Sequence, residues 1–185
     1  IRSLAVGGTL HLADGVYPQG STLVILQAMT IKGNDANPEA VVIRRSNSSP
    51  YSVMNLKASC VLRGIVVENG YVNNVGYIGA GIDITASSIV TNCIIRNNRI
   101  YGNNYYTAGG IRNAAAGSVI VDCVITNNAS NAYNNSPGGI YTPNPCEIIR
   151  CIIGWNKASA GGGGIKSAST STVVSDCIIV NNKSS

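Results

Sequence analysis

One phrase recurs four times down the second half of this chain, and no other feature limits the fold as sharply. It is an apolar pair and a polar residue, followed by Cys-x-Ile-x-x-Asn. It occupies residues 89–98, then 119–128, 147–156 and 173–182. Its cysteines fall at Cys93, Cys123, Cys151 and Cys177, in steps of 30, 28 and 26 residues. A degenerate copy lies upstream at 61–70, where Ile65 takes the cysteine position and Gly70 the asparagine position. Periods of this size mark a solenoid, in which each repeat buries its apolar face only by stacking on its neighbours.

A second phrase runs in phase with the first: Gly79-Ala80-Gly81-Ile82, Gly109-Gly110-Ile111, Gly138-Gly139-Ile140 and Gly163-Gly164-Ile165. Each repeat therefore holds two short β-rich runs, punctuated by asparagine and glycine, and neither has helical periodicity. The expected class is all-β, a single right-handed parallel β-helix of six to seven coils, about 30 Å long at one strand spacing per coil. The 185 residues make one domain. Residues 1–45 read as irregular N-terminal coils, with 1–6 as a cap, and 46–182 as regular coils. No C-terminal cap is evident, which makes head-to-tail self-association an expectation.

Composition agrees. Charged residues are 11 % against 45 % hydrophobic, and phenylalanine is absent. Branched aliphatics and cysteine suit a narrow core whose layers lie one strand spacing apart. The net charge of +5 favours anionic partners. Basic residues are scattered, however, with only Arg44 and Arg45 adjacent, so nucleic acid is not an expected partner. No apolar run reaches the ~18 residues of a membrane span.

The cysteine column sits beside the apolar column Ile95, Ile125, Ile153 and Ile179 and reads as a ladder of buried free thiols. A bridge between adjacent rungs is the alternative. Cys60 and Cys146 share another column three coils apart, beyond disulfide reach. The asparagine column at Asn98, Asn128, Asn156 and Asn182 reads as a turn position, where left-handed backbone and stacked amides are both available.

The stretches "GGTLHLADGVY", "MTIKG" and "VLRGIVVENG", followed by repeated Gly-Gly-Ile and Cys-x-Ile-x-x-Asn, resemble the right-handed parallel β-helices of the pectin-lyase-like superfamily. The later repeats are similar to those of chlamydial polymorphic outer membrane proteins. The resemblance implies a secreted or bacterial cell-surface protein that meets a polysaccharide or a surface protein. It implies chemistry less firmly. Polygalacturonase-like members carry clustered aspartates with Gly-His-Gly and Arg-Ile-Lys phrases, which this chain lacks. The sole histidine is His11, and eight acidic residues spread singly give no calcium cluster. Neither a cofactor nor a metal is expected.

In that superfamily substrates lie across one outer sheet. The residue after each Gly-Gly-Ile is Asp83, Arg112, Tyr141 and Lys166, expected to form one exposed row that mixes acid, base and aromatic. A second row, Gly64, Asn92, Asp122, Arg150 and Asp176, precedes the cysteine column and reads as a surface ion-pair ladder. Tyrosines stud the loops between the asparagine column and the glycines, at Tyr71, Tyr77, Tyr101, Tyr105, Tyr106 and Tyr133. These rings are expected along one edge, for stacking on sugars or for folding back as lids. The function expected is a non-catalytic, structural and adhesive module. The alternative is a polysaccharide lyase or glycoside hydrolase acting on an acidic polysaccharide, with Arg112 and Lys166 as candidate groups.

Overall fold

The computed structural model describes residues 5–73, 78–134 and 136–185, without the side chains of residues 103–105, 133 and 134. The chain winds as an all-β parallel solenoid of about six turns, relieved by one 3-10 turn at Pro38–Ala40. Four parallel sheets line it, named here in the order a regular coil meets them. In one coil Ile89–Thr91 lies in sheet I, Ile94–Arg96 in sheet II, Arg99–Tyr105 in sheet III and Ile111–Asn113 in sheet IV. Sheets I and II hold seven strands each and sheet IV six, whereas sheet III holds five and begins only at Tyr71–Asn73. The extra sheet coincides with the onset of the regular repeats.

Strand alternation sends one residue in two inward. Ile65, Cys93, Cys123 and Cys151 stack on the core axis beside Val67, Ile95, Ile125 and Ile153, and all are buried. All six cysteines are free. Each thiol of the main column lies against two backbone carbonyls: Cys123 Sγ is 3.4 Å from Val90 O and 3.2 Å from Val121 O. Burial pushes the Cys123 thiol well above its ordinary pKa. Cys177 departs from the expected ladder in being only partly buried. In the same coil Ile179 is 53 % exposed although it stacks in register with Ile153.

The asparagine column differs from expectation. Its residues do not hold the left-handed turn. That backbone belongs to the preceding position, Asn69, Asn97, Asn127, Trp155 and Asn181, with φ between 54° and 63°. The column itself points inward as an amide ladder. Asn98 Nδ2 donates to Asn128 Oδ1, Asn128 Nδ2 to Asn156 Oδ1, and Asn156 Nδ2 to Asn182 Oδ1, each at 3.0 Å. The same oxygens accept backbone N–H groups from the coil before, as Asn128 Oδ1 does from Asn98 N at 3.1 Å. Buried backbone polar groups at this corner are thereby satisfied.

The ladder also explains why the two sequence phrases keep phase. A Cβ placed on Gly110 would sit 2.7 Å from Gly139 O and 3.0 Å from Asn128 Nδ2. The second glycine of each Gly-Gly-Ile is the wall against which the amides pack. Gly70 heads the ladder for a related reason. Its N–H donates to Asn98 Oδ1 at 2.8 Å, and a Cβ there would lie 2.0 Å from Ala80 O.

Candidate functional site

The row Asp83, Arg112, Tyr141 and Lys166 forms as the spacing requires, one residue per rung of sheet IV. Its exposure does not follow. Asp83, Arg112 and Tyr141 are 3, 9 and 2 % exposed, and Lys166 is half-buried. The cause is the segment leaving Tyr105, which turns back over the sheet. Arg112 Nε donates to Tyr106 O at 2.9 Å, and the Tyr106 ring stacks on Tyr141, centroids 6.2 Å apart at 30°. Beneath this cover Arg112 Nη1 pairs with Asp83 Oδ1 at 3.0 Å, and Lys166 Nζ lies 5.5 Å from the Tyr141 ring centre. Burial raises the Asp83 carboxyl above its ordinary value, more than the Arg112 charge lowers it. Burial likewise raises Tyr141 and lowers Lys166. The row is a closed polar seam.

The tyrosines split between two places instead of gathering along one edge. Tyr106 covers sheet IV, whereas Tyr101 sits on sheet III beside Tyr71, ring centroids 5.7 Å apart. The side chains of Tyr105 and Tyr133, and all of Tyr77, lie outside the described residues. The row before the cysteines carries the expected ion pair, with Arg150 Nε and Nη2 at 2.7 and 2.8 Å from the two oxygens of Asp122. The Arg150 guanidinium holds the Asp122 carboxyl below its ordinary pKa. Asn92, Asp122, Arg150 and Asp176 are also left-handed, a turn role that their mixed chemistry hides in the sequence.

Sheet III supplies the open site. A groove of about 770 Å³ is lined by Arg45, Ser46, Asn47, Asn69, Gly70, Tyr71, Asn97, Arg99 and Tyr101. Arg45 lies 5.3 Å over the Tyr71 ring, a cation–π contact that fixes both. Its guanidinium also donates to Asn69 O at 2.9 Å and Ser49 O at 3.1 Å. The groove's polar lining is amide, hydroxyl and guanidinium, with no carboxylate. Arg45 and Arg99 form no salt bridge among the described residues.

No family model matches this chain, and no curated protein matches it. Among solved structures it is similar to an alginate lyase from Paenibacillus sp. str. FPU-7, at 9 % identity and a TM-score of 0.36. That match covers 96 % of this chain and 94 % of the lyase.

Arg99 opens a longer row. In register with it across sheet III stand Tyr71 on one side and Ala129, Lys157 and Lys183 on the other. Arg99, Lys157 and Lys183 are exposed. The signal for this row was present in the sequence, one residue after each member of the asparagine column, at 99, 129, 157 and 183. Among the described residues no group of three His, Cys, Asp or Glu is placed to hold a metal ion.

Proposed function

We propose that this chain is a non-catalytic β-helical module of an extracellular or cell-surface protein, structural and adhesive, that holds a glycan against sheet III. The observation that carries the reading is the Tyr71–Tyr101 groove: two rings on rigid parallel strands, ringed by amide, hydroxyl and guanidinium donors. Aromatic faces stack on sugar rings, and the surrounding donors match sugar hydroxyls. The candidate groups of the lyase or hydrolase alternative, Arg112 and Lys166, belong to the seam on sheet IV, where Tyr106 and Tyr141 pack over and between them.

A glycan array, read in parallel with ultraviolet absorbance for newly formed unsaturated uronate, tests the reading. The expected result is retention of a glycan by the wild type, loss of it in the Tyr71→Ala, Tyr101→Ala double variant, and no growth in absorbance. Turnover of the retained glycan would replace the adhesive reading with the lyase one.

A further inference from the structure

Four basic side chains face one way on this molecule with no acid among them. Arg45 stands over the Tyr71 rung, and Arg99, Lys157 and Lys183 continue down sheet III. The strands of this sheet read YVN, RIYGNNY, ASNAYN, KA and KS, without a single Asp or Glu. Elsewhere the basic residues are largely neutralised. Arg63 and Lys32 meet Asp35, Arg96 meets Glu39 and Glu68, Arg112 meets Asp83, and Arg150 meets Asp122. The chain has 13 Lys and Arg against 8 Asp and Glu. Setting the four aside leaves the remainder nearly balanced, so most of the net +5 resides on this face.

Trp155 is an independent pointer to the same face. It stands two residues before Lys157, in the corner column otherwise filled by Asn69, Asn97, Asn127 and Asn181. That corner is left-handed, with φ 57° at Trp155, a conformation asparagine tolerates and a bulky side chain resists. The indole is 55 % exposed, so packing does not offset the strain. A large aromatic held at a strained, exposed corner beside a cationic row is what a stacked ligand requires.

We infer that sheet III is a track for an acidic glycan lying along the solenoid axis, with Arg45, Arg99, Lys157 and Lys183 meeting its carboxylates, the Ala129 rung bridged without one, and Tyr71, Tyr101 and Trp155 meeting sugar faces. This rests on the glycan-binding reading above and adds the charge, the direction and the far half of the site. Rungs recur every ~4.8 Å, so the row from Tyr71 to Lys183 runs for about 19 Å, room for about four linked pyranoses. Duplex nucleic acid places a phosphate of each strand every ~3.4 Å of helix axis, out of step with these rungs. A row of charges fixed by strand spacing selects a polymer with a matching repeat, not merely a polyanion.

Calorimetric titration with an oligoglucuronate, and with the neutral cello-oligosaccharide of equal length and linkage, separates charge from ring. The acidic oligomer is expected to bind at least about tenfold tighter, with a preference that collapses when salt rises from about 0.05 M to about 0.5 M. Lys157→Ala with Lys183→Ala, and separately Trp155→Asn, should each weaken the acidic oligomer at least about fivefold; the lysine pair should leave the melting temperature unchanged, and Trp155→Asn, which relieves the strained corner, should not lower it. Equal binding of both oligomers, lost only in the Tyr71→Ala, Tyr101→Ala variant, overturns the track and keeps the glycan reading. Binding of neither oligomer overturns the track, and the array then decides the glycan reading separately. Tighter binding of single-stranded oligothymidylate than of the uronate would also overturn it.

Discussion

Sheets III and IV carry charged rows built by the same device, one residue per rung in register, and they come to opposite ends. On sheet IV an acid sits one rung from an arginine, an aromatic follows, and the neighbouring segment closes over them with Tyr106. On sheet III the rungs are Tyr71, Arg99, Ala129, Lys157 and Lys183, so no cation finds an acid above or below it, and the row stays open. The same ~4.8 Å spacing that lets opposite charges satisfy one another forces like charges to seek a partner outside the chain. A ladder of mixed sign is therefore a structural seam, and a ladder of single sign is a surface with work left to do.

The largest expected effect breaks the seam. Arg112→Ala leaves the buried Asp83 carboxylate without its partner and should lower unfolding free energy by about 3–5 kcal/mol in denaturant titration. A cost below that of a surface substitution would show that the seam is not sealed. Next comes the amide ladder, the uncharged version of the same idea. Asn128→Ala strips acceptors from Asn98 N and Nδ2 and donors from Ile95 O and Asn156 Oδ1, for about 2–3 kcal/mol. Asn128→Gly should cost no less, because this position is not left-handed. At the left-handed neighbour, Asn127→Gly should be nearly silent.

Acid titration of stability sharpens the contrast by sign. The Asp83 pKa is raised in the folded chain, so the fold takes up this proton before the unfolded chain does. Wild-type stability relative to Asp83→Asn should grow as pH falls through the raised value toward 3.8. The Asp122 pKa is lowered, so its contribution is present above 3.8 and lost as pH falls through the folded value. Stability relative to Asp122→Asn should therefore shrink over that lower window. Parallel curves for the two variants would contradict the burial difference between the rows. The smallest effect belongs to the open row, where Arg99→Ala and Lys157→Ala should each stay within about 0.5 kcal/mol of wild type.

Spacing alone made the solenoid legible, because the cysteine and glycine phrases repeat with the coil, and it placed Asp83, Arg112, Tyr141 and Lys166 on adjacent rungs. It could not reveal their burial, which depends on where a non-repeating segment folds. Tyr106 lies in such a segment, and its left-handed backbone carries no glycine to announce it. The left-handed turn lies one residue before the asparagine column, a shift the sequence also hides. Two asparagines stand side by side at 97–98, 127–128 and 181–182, and only the Trp155-Asn156 rung separates their roles: tryptophan has no side-chain carbonyl, so Asn156 must be the ladder member. The sheet III row is hidden in the sequence because Ala129 interrupts it and Lys157 and Lys183 follow an asparagine, not a glycine pair.

Gly70 has a consequence for how the chain finds its winding. Coils this alike offer a folding chain several nearly equivalent partners. A slip by one whole turn would still set cysteine on cysteine and amide on amide, and such long-range parallel pairings form slowly enough for errors to persist. The rung at Gly70 breaks that equivalence. In the native winding no asparagine can stand at that rung, where even one extra carbon would meet Ala80 O at 2.0 Å. The missing side chain thus acts as a zero mark, from which each later turn is counted.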